Sequence, residues 1–141
     1  MSKIAAWSLF FLGVAHIAFG IVRFKTPLAA ALAAGFFNQF YDPELRRTAF
    51  WFIMVGPLLV LVGHIAIRAV AANDHALLTV IGTYAIVASV IGIAAFPKSP
   101  LWLLFVVALA LIYAGTSRSG SGTEAAHADL PIYRPESTMK K

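Results

Sequence analysis

Leu77–Phe96 reads LLTVIGTYAIVASVIGIAAF, twenty residues without a formal charge. At about 1.5 Å per residue a helix of that length reaches roughly 30 Å, the thickness of a bilayer's hydrocarbon core. Buried helices of soluble domains rarely run so long without a charged face. This stretch therefore reads as a membrane span, and the question becomes how many others accompany it.

Two more are visible. Ile4–Val22 is apolar apart from Ser8 and His16 and is closed by Arg23 and Lys25. A cleaved signal peptide competes for this segment, but its apolar core is long for that role, and the Ala29–Ala31 stretch lies beyond two basic residues. Ala49–Ile67 follows Arg46 and Arg47 and ends at Arg68; Pro57, preceded by Gly56, lies inside it and predicts a kink. A fourth run, Leu101–Ala114, has fourteen residues and is short at about 21 Å. Trp102 and Tyr113 at its ends are the residue types that anchor spans at the interface. The sequence thus predicts an all-α integral membrane protein, a four-helix transmembrane bundle over residues 1–115 with spans at about 4–22, 49–67, 77–96 and 101–114.

Composition agrees. Hydrophobic residues make up 60% and charged residues 12% of the chain, against about 45–50% and 25% in ordinary globular domains. The net charge of +5 does not imply nucleic acid, because the basic residues flank apolar runs or close the C-terminus and form no basic face with interleaved aromatics. Attraction of juxtamembrane Lys and Arg to anionic lipid accounts for the balance. Cysteine is absent, which excludes disulfides and thiolate chemistry.

Between the first two spans lies the connection Arg23–Thr48. Its apolar part, Pro27–Phe37, is too short to span and predicts a segment lying in the interface or folded against the bundle mouth. Asp42-Pro43-Glu44 predicts a helix start with Asp42 as cap and Pro43 at the first helical position. Asn73-Asp74 predicts a polar turn and a second cap, and Ser99-Pro100 a third. From Thr116 to Lys141 the Ser/Gly-rich, polar composition predicts a disordered tail. Four spans put both termini on one side. Arg23, Lys25, Arg46, Arg47 and Lys98 near the first and third connections outnumber Lys3, Arg68 and Arg118, so the positive-inside rule leans towards those connections facing the cytoplasm.

Small residues at helical spacing mark the surfaces where helices meet. Ala6, Gly13, His16 and Gly20 share one face; Gly56 and Gly63 lie a heptad apart; Gly82, Ala85, Ser89 and Gly92 follow at offsets of three, four and three.

Candidate chemistry is sparse. His16 and His64 are the only ionisable groups inside the apolar runs, and such groups serve as ligands, proton relays or cross-helix hydrogen-bond donors. In antiparallel spans they sit at different depths, about 13 Å apart, which argues against one shared metal ion; a haem lying flat could in principle bridge them, but nothing else in the sequence supports one. Val14–Ala18 echoes Val62–Ala66 around the two histidines in four of five positions, but the flanking sequence does not align, and the echo reads as chance. Asn38, Gln39, Tyr41 and Asp42, behind Phe36 and Phe37, form a polar cluster at the bundle mouth suited to an amphiphile headgroup or a quinone, and equally to plain capping. Thr79, Thr83 and Tyr84 suit bonding across helices. There is no phosphate-cradling Gly-rich loop, no His-Glu-x-x-His and no carboxylate within a span.

Gly13-x-x-His16-x-x-x-Gly20, Gly35-Phe36-Phe37-Asn38, and Phe50-Trp51-Phe52 followed by Gly56 and Gly63, taken in this order and spacing, resemble the domain of unknown function 6463, a family of small bacterial four-helix membrane proteins. The resemblance covers Trp7 to Tyr113. It implies four spans in a bacterial inner membrane and carries no activity, so no catalytic residue follows from it. The expectation is a non-enzymatic accessory or interaction component, resting in the lipid bilayer with a membrane-protein partner or a second copy of itself, with no metal and no cofactor. A binder of a lipophilic molecule such as quinone or haem, using His16 or His64, is one alternative. A carrier of a small neutral solute along a path lined by His16, Thr83, Tyr84 and Ser89 is another.

Overall fold

Ser2–Arg23 forms the first helix, α1, in a computed structural model that describes residues 2–117. Four more follow: α2 (Lys25–Ala33), α3 (Glu44–Ala71), α4 (His75–Ala95) and α5 (Leu101–Thr116). All regular structure among the described residues is helical. Thr116 and Ser117, expected to open the polar tail over 116–141, are the last residue and the cap of α5; the rest of that tail, from Arg118 onward, lies outside the described residues. Helices α1, α3 and α4 are long and apolar enough to cross a membrane; α5, at 16 residues, is a shorter apolar helix.

Local chemistry explains each boundary. Pro27 has no N–H to give the Arg23 carbonyl, so α1 stops there, and the chain restarts as α2 after one irregular residue, Phe24. In α2 Pro27 is the third residue, where backbone donors lack intrahelical partners anyway. At the far end Gly35 takes φ +97°, its N–H bonds the Leu32 carbonyl at 3.1 Å, and the Phe36 N–H bonds the Ala31 carbonyl at 2.9 Å. This is a Schellman stop. The same device ends α3. Asn73 at φ +55° bonds the Val70 carbonyl at 3.3 Å, and the Asp74 N–H bonds the Ala69 carbonyl at 2.9 Å. Asp74 then accepts from the Leu77 N–H at 2.9 Å and caps α4, as the sequence predicts.

Two other predicted caps are displaced by one residue. Pro43 (ψ 161°), not Asp42, is the cap of α3, which leaves the Asp42 carboxylate one residue too early to serve the first-turn amides. Pro100 likewise takes the cap of α5, and the Ser99 hydroxyl is buried without a protein partner.

Helices α1 and α3 pack along their lengths, as do α4 and α5; α1 also touches α5, and α3 touches α4. Both close pairs are antiparallel, with a register that the glycines fix. Gly13 faces Val60 and Gly63 faces Phe10, while Gly82 faces Ala108 and Ile112, and Gly92 faces Leu101. The small-residue stripes read from the sequence are thus the seams of the two pairs. Where the pairs meet, Ala5, Ala6 and Leu9 of α1, Ala66 and Ala69 of α3, Leu78 and Ile81 of α4, and Leu104 and Leu111 of α5 form the core. Large apolar side chains point outward instead, Phe11, Phe19, Leu58, Val87 and Leu103 among them. A fold with its small residues inside and its bulky ones outside suits a solvent as apolar as its own core.

Candidate functional site

His16 is fixed by α3. Its Nε2 lies 2.9 Å from the Phe52 carbonyl oxygen, and its ring stacks on the Phe52 ring, with centroids 4.3 Å apart and planes 15° from parallel. A carbonyl only accepts, so Nε2 carries the hydrogen and donates it to Phe52. The acceptor stands beside the Ile53 carbonyl, which Pro57 deprives of its intrahelical donor. Phe19 and Phe24 pack around the same Phe52 ring, and the Arg23 guanidinium lies 5.6 Å from the Phe24 ring centroid.

His64 has a different setting. It is exposed on α3. In the α1–α3 register Gly56 faces Ile17, so His16 lies level with about Pro57, seven residues or roughly 10 Å from His64. The two histidines do not converge. Among the described residues no three His, Asp or Glu side chains gather as a metal centre requires.

The polar cluster of the connection is open. Asn38 and Asp42 are exposed, and Tyr41 is 80% exposed. Gln39 is half-buried; its amide donates to the Phe37 carbonyl at 3.4 Å and its side-chain oxygen accepts from Arg46 at 3.3 Å. Arg47 pairs with Glu44 at 3.6 Å. These groups order the loop and do not enclose a cavity.

The polar residues of α4 are not cross-helix bonds. Thr79 donates to the His75 carbonyl at 3.1 Å, Thr83 to the Thr79 carbonyl at 2.8 Å and Ser89 to the Ala85 carbonyl at 2.6 Å, all within the helix. Tyr84 is 75% exposed on the outer surface, whereas Ser89 is fully buried. His16, Thr83, Tyr84 and Ser89 therefore share no path.

What the structure adds is a groove. It has about 450 Å³ and lies between Ile21 of α1, Ile53 of α3, the Lys25, Leu28, Ala29 and Leu32 side of α2, and Phe36 and Phe40 of the loop. Phe36 meets Phe40 edge to face and Phe40 meets Phe50 at a tilt beside it, with centroids 5.2 Å apart at each step. The sequence carried a signal for it: Lys25, Leu28, Ala29 and Leu32 stand at offsets of three, four and seven, one face of a helix. Placing Ile21 and Ile53 opposite them required the fold.

A family described only as being of unknown function, DUF6463, has a sequence pattern that matches residues 1–118. The chain belongs to DUF6463. No curated protein and no solved structure matches it. The elements that carry the DUF6463 resemblance now have a place. Gly13, His16, Gly20, Phe52, Gly56 and Gly63 all lie on the α1–α3 seam, and Gly35 is the left-handed residue that stops α2 at the groove.

Proposed function

We propose that this DUF6463 member is a four-span protein of the bacterial plasma membrane, acting as an accessory or interaction component, with both termini on one side. The observation that carries this reading is how its membrane-depth polar groups are spent. His16 holds α3 through the Phe52 carbonyl, and Thr79, Thr83 and Ser89 each bond their own helix. Polar side chains so committed build a framework. Haem ligation through the His16 Nε2 requires breaking the bond to Phe52.

The fourth span rests on α5 lying antiparallel to α4 from the Gly92–Leu101 contact to the Gly115–Thr79 contact, with Trp102 and Tyr113 near its ends. Arg23, Lys25, Arg46, Arg47 and Lys98 gather at the loop end, which is the cytoplasmic end by the charge rule.

A second reading, binding of a lipophilic molecule, is favoured by the groove beside Lys25.

The native absence of cysteine makes the test direct. Single replacements Asn38→Cys and Lys98→Cys are expected to react with a membrane-impermeant maleimide from the cytoplasmic side, and Asn73→Cys and Ser117→Cys from the other. Lys98 and Ser117 labelled from the same side removes the fourth span. Native mass spectrometry of the gently extracted protein is expected to show a stoichiometric membrane-protein partner or a second copy. A bound chromophore lost in His16→Ala overturns the accessory reading.

A further inference from the structure

We infer that the groove between α2 and the α1–α3 pair is a binding site for an anionic phospholipid of the surrounding bilayer. In it one acyl chain lies on the apolar floor and the phosphate meets the Lys25 ammonium. The inference rests on the membrane-spanning reading above.

The groove is polarised along the membrane normal. Gly20 faces Ile53 across the α1–α3 seam, which puts Ile21 and Ile53 at about one level. Ile53 is six residues, roughly 9 Å, inside Arg47, which marks the headgroup zone. The floor is thus at acyl depth. Lys25 is the one charged residue of the lining, two positions beyond the last residue of α1. Lys25 lines the groove chiefly with its carbon stem and is exposed, so its ammonium is free to meet the anion of an amphiphile whose chain lies on the carbon floor.

The charge around the rim selects its sign. Among the described residues Lys25 has neither a carboxylate nor a hydrogen-bond partner. Of the nearby cations Arg47 is paired with Glu44, Arg46 bonds Gln39 and Arg23 lies over Phe24. Lys25 is the one that lines the groove. The lining offers no hydrogen-bonding side chain besides Lys25, so a quinone carbonyl or a sugar headgroup gains little there, whereas a phosphodiester gains a charge-assisted contact. The Gly35 stop and the edge-to-face and tilted contacts of Phe36, Phe40 and Phe50 order the wall before any lipid arrives, which lowers the cost of ordering on binding.

The test uses the full chain in nanodiscs of equimolar phosphatidylglycerol and phosphatidylcholine, with native mass spectrometry of the lipids retained as the disc is stripped. One lysine near the surface is worth about a fivefold preference, so phosphatidylglycerol is expected to be retained about fivefold over phosphatidylcholine. Lys25→Gln is expected to bring that ratio to about one, whereas Lys98→Gln, which removes a charge from the third connection, leaves it in place. Ala29→Trp, an exposed position whose indole occupies the groove, is expected to reduce retention of both lipids. Equal retention of the two headgroups in the unaltered chain overturns the inference. So does a Lys98→Gln effect equal to that of Lys25→Gln, or a retained quinone indifferent to Lys25. Maleimide labelling of the cysteine variants in sealed membrane vesicles reports the span count separately, so a failed topology is told apart from a failed lipid site.

Discussion

Gly63 lies so close to the backbone of Phe10 that a Cβ on it would fall 2.5 Å from the Phe10 N and Cα. Neither atom can rotate away, so α1 and α3 would have to part. Gly63→Ala is expected to lower stability by about 1–3 kcal/mol, read as the shift in SDS-driven unfolding followed by circular dichroism. At Gly92 the clashing atom is the end of the Leu101 side chain, which can turn. Gly92→Ala should be neutral or slightly stabilising, because alanine gains up to about 1 kcal/mol of helix propensity. Equal losses at the two sites would contradict the backbone contact.

With the helices in a bilayer as proposed, the bond from His16 to Phe52 links two of them where no water replaces it. His16→Ala is expected to cost about 1–2 kcal/mol, combining a membrane hydrogen bond with the lost ring stacking. His64→Ala, at an exposed position, should cost less than about 0.5 kcal/mol. The same unfolding titration decides, and a larger loss at His64 would reverse the assignment of roles.

Helix capping separates two aspartates that look alike in sequence. Asp74→Ala removes the bond to the Leu77 N–H and should cost about 1 kcal/mol, whereas Asp42→Ala should be nearly silent. At Asn73, whose φ is +55°, glycine should be tolerated and valine should cost about 1–2 kcal/mol or more. Thermal melts of the four variants in one detergent provide the comparison.

Much of the fold is visible in residue spacing, because long apolar helices can approach one another closely only through their small residues. Uninterrupted apolar length marks α1, α3 and α4, and the stripes at Gly13 and Gly20, Gly56 and Gly63, and Gly82 and Gly92 mark the surfaces that meet. Sequence places cap boundaries less well. Asp42 and Ser99 have the right chemistry one residue too early, and only the dihedrals of Pro43 and Pro100 reveal it. Polar residues in α4 mislead for another reason. Thr79, Thr83 and Ser89 can turn back onto their own helix, and spacing alone does not distinguish that from a bond to a neighbour. The echo around the histidines dissolves for a similar reason. Ala66 is buried where its counterpart Ala18 is exposed, so the repeated letters meet different surroundings. The candidate site was least visible. Its wall needs α2 folded back against Ile21 and Ile53, a long-range relation that no local pattern encodes.

Helix lengths around the molecule are unequal, 28 residues in α3 against 16 in α5. At about 1.5 Å per residue they are roughly 42 and 24 Å long, on either side of a hydrocarbon layer of about 30 Å. With α5 crossing as proposed, the leaflets must thin along its flank, whereas the apolar run of α3, Ala49–Ile67, is about 28 Å long and fits without adjustment. That mismatch costs a fraction of a kcal/mol per Å, enough for the molecule to sense bilayer thickness. Short-chain lipid gathered at α5 would give an asymmetric lipid collar, and a partner helix as short as α5 would relieve the strain by docking on that side.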